Sequence, residues 1–93
     1  MAALFEAVSI NGMSLRNRFV RSATCEGLAD KDGNVTSRLT DMMAELARNE
    51  IGLIISGFAF VSADGQSISG QMAVHDDHFL PGLHKMSQAV HAA

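Results

Sequence analysis

The feature that most constrains the fold of this chain is an apolar run from Ile51 to Val61. The run is apolar at nearly every position rather than at every second one, which is typical of a strand buried on both faces of a parallel sheet. A buried helix is the competing interpretation, but Gly52, Gly57 and the β-branched residues favour a strand. We therefore expect other elements of the chain to cover a sheet that contains this strand.

An amphipathic helix is predicted before this run, from about Thr36 to Asn49. Apolar residues recur there at i, i+3, i+4, i+7 and i+8, which makes one continuous stripe. Thr36 is a suitable N-cap residue. The stripe consists of Leu39, Met42, Met43, Leu46 and Ala47. A lone helix of this length is marginal in water, so the stripe implies a sheet for it to cover.

The remaining signals complete an alternating order of strands and helices. Val8 to Leu15 alternates apolar and polar residues around Asn11-Gly12, which predicts a β-hairpin. A short strand is predicted over Phe19 to Ser22. After the apolar run, a loop rich in Gly, Ser and Gln leads to a second helix that opens at Pro81-Gly82. The order of hairpin, strand, helix, strand and helix predicts an α/β fold with parallel strands.

Composition narrows the class of protein. The 93 residues are 47% hydrophobic and 18% charged, which suits one small packed domain. A net charge of −3 with only seven scattered basic residues argues against a nucleic-acid partner. The apolar run is shorter than the ~20 residues of a membrane span, and the amino terminus lacks the basic start of a signal peptide. The single cysteine, Cys25, excludes an internal disulfide. We expect a cytoplasmic protein.

Four segments, in this order, closely resemble the start of the old yellow enzyme family of FMN-dependent NADH:flavin oxidoreductases, or ene-reductases. They are Leu4–Glu6, Asn11–Val20, Gly52–Gly57 and Asp76–Leu83. Any one of them is a modest signal, but the ordered set extends the resemblance from Leu4 to Ala93.

The resemblance implies a (β/α)8 TIM barrel, of which this chain would be the N-terminal fragment. The incomplete domain, residues 1–93, would comprise the hairpin 8–15, a first βα unit 18–50 and a second βα unit 51–93. A complete barrel needs about 250 residues. The parent enzyme would pass hydride from NAD(P)H through FMN to an activated alkene, its small-molecule substrate. We expect the fragment alone to be inactive, with no catalytic residue of its own.

The resemblance also implies cofactor-binding positions at the ends of the two main strands. They are Ser22, Ala23, Thr24 and Cys25 after the first strand, and Gly57 and Phe58 after the second. Many relatives have proline in place of Ala23, so the backbone there is expected to be less rigid. A thiol at Cys25 can reach the O4/N5 edge of the flavin and tune its reduction potential. Without the resemblance, Cys25 would be interpreted as a small core residue, and Ser22 and Thr24 as caps of backbone groups.

Two alternatives remain open. The first is a non-catalytic remnant that self-associates through exposed strand edges. The second is a small metal module at His75-Asp76-Asp77-His78, because imidazole and carboxylate groups bind metals. The compressed spacing of that segment favours a solvated lead-in to the second helix, so we assign no metal site.

Overall fold

The computed structural model describes residues 2–93, which form short strands and two long helices. The helices are α1 (Ala2–Phe5), α2 (Ser37–Arg48) and α3 (Leu80–Ala92). The strands are β1 (Val8–Ile10), β2 (Met13–Leu15), β3 (Val20–Arg21), β4 (Leu53–Ile54), β5 (Ala59–Phe60) and β6 (Met72–Ala73). Single 3₁₀ turns lie at Ala63–Gly65 and Asp77–Phe79. The strands pair as β1–β2, β3–β4 and β5–β6.

The hairpin forms at the Asn-Gly dipeptide. β1 and β2 are antiparallel, with Val8 opposite Leu15. Asn11 and Gly12 both have positive φ, at 47° and 86°, which matches the twist that a two-residue hairpin turn requires.

Helix α2 begins where its cap residue predicts. The Thr36 hydroxyl accepts a hydrogen bond from the Leu39 N–H at 3.2 Å and donates one to the Leu28 carbonyl at 2.5 Å. The predicted helix and its N-cap are therefore confirmed. The buried face of α2 carries Leu39, Thr40, Met43, Ala44 and Ala47.

The prediction of one continuous strand from Ile51 to Val61 was wrong. The run splits into β4, which pairs in parallel with β3, and β5, which pairs in parallel with β6. The prediction of burial on both faces was wrong as well, since Ile55 is 48% exposed and Phe58 44% exposed, whereas Phe60 is buried. Two-stranded sheets and two long helices provide too few layers to cover both faces of a long strand.

The stretch predicted as a loop before the second helix contains β6. Met72 and Ala73 are among the most buried residues, at 3% and 1% exposure. Two residues are too few to show a strand period in sequence. Gly70 lets this stretch pass close to Gly27, because a Cβ at Gly70 would lie 2.5 Å from the Gly27 carbonyl oxygen.

The core lies between the two long helices and the strands. One cluster joins Ala29, Leu39, Met43 and Met72, and a second joins Phe60, Ala73 and Phe79. Leu83 of α3 packs against both clusters. None of the helices within residues 2–93 combines the length and apolar character needed to cross a bilayer.

Candidate functional site

The ends of β3 and β4 lie side by side. In this parallel pair the Leu53 N–H donates to the Phe19 carbonyl at 3.2 Å, and the Ile55 N–H donates to the Arg21 carbonyl at 3.0 Å. The segments Ser22–Cys25 and Ser56–Phe58 therefore leave the same edge of the sheet, which is the edge that carries active sites in barrels of parallel strands.

The side chain of Arg21 connects both segments. Its Nη1 donates to the Ile55 carbonyl at 2.9 Å, and its Nη2 donates to the Thr24 carbonyl at 2.9 Å. The same Nη2 pairs with Oε2 of Glu26 at 2.9 Å. Only 14% of the Arg21 side chain and 4% of the Glu26 side chain are exposed, so this ion pair is largely shielded from water.

Glu26 reaches across to the second strand end. Its Oε2 accepts a hydrogen bond from the Gly57 N–H at 2.8 Å. A Cβ at Gly57 would lie 2.7 and 2.8 Å from the two Glu26 carboxylate oxygens and 2.8 Å from the Thr24 carbonyl oxygen. The close approach of the carboxylate therefore requires glycine at position 57.

The structure brings the predicted cofactor-binding residues to this common edge. Ser22, Ala23, Thr24 and Cys25 are exposed, Gly57 is buried and Phe58 is exposed. Gly57 offers no free N–H, because Glu26 already accepts from it. The Thr24 hydroxyl donates to the Ser22 carbonyl at 3.1 Å, which fits the interpretation of Thr24 as a residue that satisfies backbone groups.

Cys25 is exposed, so its interpretation as a small core residue is wrong for this chain. Cys25 belongs to neither of the two apolar clusters.

Sequence reasoning missed Arg21 and Glu26, which organise the site. The available signal was an arginine inside a predicted strand, followed five residues later by a glutamate. Opposite charges at that spacing predict a local pair at most. The link to Gly57 spans 31 residues of sequence and has no local signal.

The opposite ends of β3 and β4 are also joined by a polar side chain. Asn17 is 5% exposed; its Nδ2 donates to the Glu50 carbonyl at 2.6 Å, and its Oδ1 accepts from the Phe19 N–H at 3.0 Å. A Cβ at Gly52 would lie 2.6 Å from the Asn17 Oδ1. Polar contacts thus hold this strand pair before and after its ladder.

The side chains of the segment from His75 to His78 do not converge on one point. The His75 ring packs against Phe60 and Phe79, with centroid distances of 5.3 and 5.1 Å. The Asp76 carboxylate accepts from the His78 N–H at 3.1 Å, and this backbone bond, together with the nearby His78 ring, lowers the pKa of Asp76. Within residues 2–93, no three His, Cys, Asp or Glu side chains form a group that could hold a metal ion.

Comparison with known proteins adds independent information to this geometry. Residues 3–93 match the family described as NADH:flavin oxidoreductase / NADH oxidase. The probable NADH-dependent flavin oxidoreductase YqiG of Bacillus subtilis (strain 168) is 32% identical over 90 residues, which cover 96% of this chain and 24% of that relative.

Two solved structures share the arrangement of elements. A 2-naphthoyl-CoA reductase bound to 2-naphthoyl-CoA superposes with a TM-score of 0.92 at 30% identity, covering 97% of this chain and 14% of that one. The old yellow enzyme from Pichia sp. AKU4542 superposes with a TM-score of 0.89 at 21% identity, covering 97% of this chain and 23% of that one. The chain thus spans about a quarter or less of each of these proteins.

Proposed function

The chain belongs to the NADH:flavin oxidoreductase / NADH oxidase family, and on this premise we propose that it forms the N-terminal part of an FMN-dependent oxidoreductase. The whole enzyme would pass hydride from NAD(P)H through FMN to an activated alkene. The observation that carries the proposal is the meeting of two parallel strand ends at one open edge, where Gly57 lies within 2.8 Å of Glu26. In this proposal β3 and β4 are the first two strands of a (β/α)8 barrel.

The residues at this edge fit contact with a flat aromatic ring. Ser22, Ala23, Thr24 and Cys25 have small side chains that are exposed, and Phe58 offers an apolar ring that is 44% exposed. Flavin supplies the hydride transfer when it is bound, and the protein supplies orientation and electrostatics. Gly57 would contribute through its carbonyl, because its N–H is engaged by Glu26.

Cys25 would act as a redox tuner rather than as a nucleophile. Its thiol is exposed at the strand edge. A thiol close to a flavin ring donates a weak hydrogen bond, which changes the relative stability of the oxidised and reduced cofactor.

The chain by itself would contact the flavin ring but would not catalyse turnover. The family's phosphate site and substrate-binding pair are expected on strands outside the matched region, since the chain covers 24% of the flavin oxidoreductase YqiG. The alkene and NAD(P)H therefore belong to the whole enzyme in this proposal.

A titration with two flavins tests the proposal. If this chain contacts only the ring, FMN and riboflavin should shift the same amide NMR signals, those of Ser22–Cys25 and Phe58, with similar affinity. A flavin that shifts no signal at this edge, or shifts only the exposed face of α2, would contradict the proposed site. Stoichiometric FMN binding with NADPH oxidation by this chain would instead contradict its inactivity.

The exposed apolar side chains favour one second candidate, self-association through the β3–β4 pair. Val20 is 49% exposed and Ile55, the residue after β4, is 48% exposed, and open strand edges with such apolar side chains invite pairing with another chain. Light scattering after size exclusion decides this point. A mass that rises with concentration supports assembly, and a monomer at all concentrations counts against it.

A further inference from the structure

We propose that Arg21 and Glu26 form a positioning pair, which fixes the distance and register between the two strand ends that carry the candidate flavin site. The functional meaning of this pair, which is to position a flavin site, rests on the proposed function. The geometry that it describes is present in the chain without any cofactor.

Two contacts of the pair, one from each residue, cross from one strand end to the other. The Arg21 guanidinium contacts both the Thr24 carbonyl of its own segment and the Ile55 carbonyl, 34 residues away. The Glu26 carboxylate returns across the gap to the Gly57 N–H. The two segments are therefore tied at two points by one ion pair, and neither segment can slide along the other without breaking a charge-assisted hydrogen bond.

The burial of this pair argues for a geometric role. Removing two charges from water costs free energy, and apolar residues of similar volume often stabilise a fold equally well. The planar guanidinium offers donors in a rigid fork, so it sets the directions of its partners where a lysine would not. Gly57 adds to this restriction, because a Cβ there would lie 2.7 Å from a Glu26 oxygen.

A second ion pair in the chain provides the contrast. Glu45 and Arg48 pair at 2.6 Å on the outer face of α2, with side chains 64% and 55% exposed. Both residues belong to one helix, so their pair joins no separate segments. Glu45→Gln is therefore a matched control for Glu26→Gln.

The test compares amide hydrogen exchange in the flavin-free chain. Glu26→Gln keeps the size of the side chain but replaces a charged acceptor with a neutral one, so exchange at Gly57 should accelerate about tenfold. Exchange at Met43, which is 2% exposed in α2, reports on the stability of the whole chain and should change much less. Glu45→Gln should change neither amide.

Arg21→Lys provides a second variant in case Glu26→Gln does not fold. Lysine keeps the positive charge beside Glu26 but loses the fork that holds both carbonyls. We expect faster exchange at Gly57 and Ile55 than in the parent, with Met43 little changed. Equal acceleration at Gly57 and Met43, or no change at Gly57 in either variant, would overturn the positioning role.

Flavin titration of the same variants separates this inference from the proposed function. Weaker flavin-dependent shifts at Ser22–Cys25 in Glu26→Gln, but not in Glu45→Gln, would support the positioning role. Equal flavin affinity in parent and Glu26→Gln would overturn that role. A parent chain that shows no flavin-dependent shift counts against the proposed function, while the exchange data still decide whether the pair positions the strand ends.

Discussion

The two parallel strand pairs, β3–β4 and β5–β6, are equally short but are stabilised in different ways. In β5–β6 the side chains are buried: Phe60 is 5% exposed, Met72 3% and Ala73 1%. In β3, Val20 is 49% exposed, and Ile55, the residue directly after β4, is 48% exposed. The first pair lies in the core of the chain, and the second lies at its open side.

The difference in exposure reflects the contacts that stabilise each pair. β5–β6 is covered by the chain's own elements, since Phe79 and Leu83 pack against it and the Ala73 N–H donates to the Gly33 carbonyl at 2.9 Å. β3–β4 is covered only in part, since Ile54 packs against the core while Val20 is exposed, and the polar side chains of Asn17 and Arg21 add contacts between the two strands. The candidate site lies on the pair that is fixed by polar contacts and left open, as a pair that receives a ligand or another element would be.

The largest effect should come from removing a phenyl ring from the buried pair, compared with removing one from the exposed segment that follows β4. Phe60→Ala in the buried pair should lower the free energy of unfolding by about 4 kcal/mol, because it leaves a cavity in the core. Phe58→Ala, two residues earlier and 44% exposed, should lower it by about 1 kcal/mol. Urea unfolding of both variants measures the difference. Similar losses would show that the segment after β4 depends on apolar packing as much as the buried pair does.

Crowding around Gly33 should give the next largest effect. Gly33 has a φ of 97°, and a Cβ there would lie 2.5 Å from the Ala73 Cβ and 2.9 Å from the Phe60 ring. Gly33→Ala should therefore destabilise the chain by about 3 kcal/mol, through positive-φ strain and overpacking together.

Gly12→Ala is the matched control for Gly33→Ala. Gly12 has a φ of 86° but no atom within 4 Å of its would-be Cβ. This substitution should cost about 1 kcal/mol through strain alone. Equal unfolding free energies for the two variants would show that the loop carrying Gly33 moves away freely and does not cover β5–β6 tightly.

The open pair should depend on Asn17. Asn17→Ala removes a buried side chain and leaves the Glu50 carbonyl and the Phe19 N–H without their side-chain partners, which should lower the free energy of unfolding by about 2 kcal/mol. Asn49→Ala, which removes an exposed side chain that also donates to a carbonyl, should change it by less than about 0.5 kcal/mol. If thermal unfolding shows a negligible change in stability for Asn17→Ala, the polar contacts of Asn17 do not explain the stability of β3–β4.

The difference between local and long-range contacts explains which features could be predicted from the sequence. The hairpin at Asn11-Gly12 and the start of α2 at Thr36 were predictable, because turn and cap signals act over a few residues. The break in the apolar run was not, because its two halves pair with strands from different parts of the chain and Gly57 between them contacts Glu26, 31 residues away. The predicted site residues lie at one edge because parallel pairing aligns strand ends. Arg21 and Glu26 were missed because their roles follow from burial and from distant partners.

The smallest effect concerns pH and acts on the buried pair through Asp30. The backbone N–H of Asn34 donates to Asp30 Oδ1 at 2.9 Å and is the main cause of a pKa of Asp30 below its ordinary 3.8. The Asn34 amide side chain and the Asp32 N–H lower this pKa further, against the opposing effect of partial burial. The turn that Asp30 closes also holds Gly33, whose carbonyl accepts from Ala73 of β6.

Because the pKa of Asp30 is lower in the folded chain than in the unfolded one, its contribution to stability is complete above about pH 5. The contribution falls as the pH drops through the ordinary value of 3.8 and then through the lowered pKa of the folded chain. The difference in unfolding free energy between the parent and Asp30→Asn should therefore be largest near neutral pH and shrink in acid. Asp32→Asn, which removes a charge from the same loop but keeps the Asp30 bonds, is the control. Amide exchange should show acid loosening Ala73 more than Leu53, and the opposite order would mean that the loop supports β3–β4 instead.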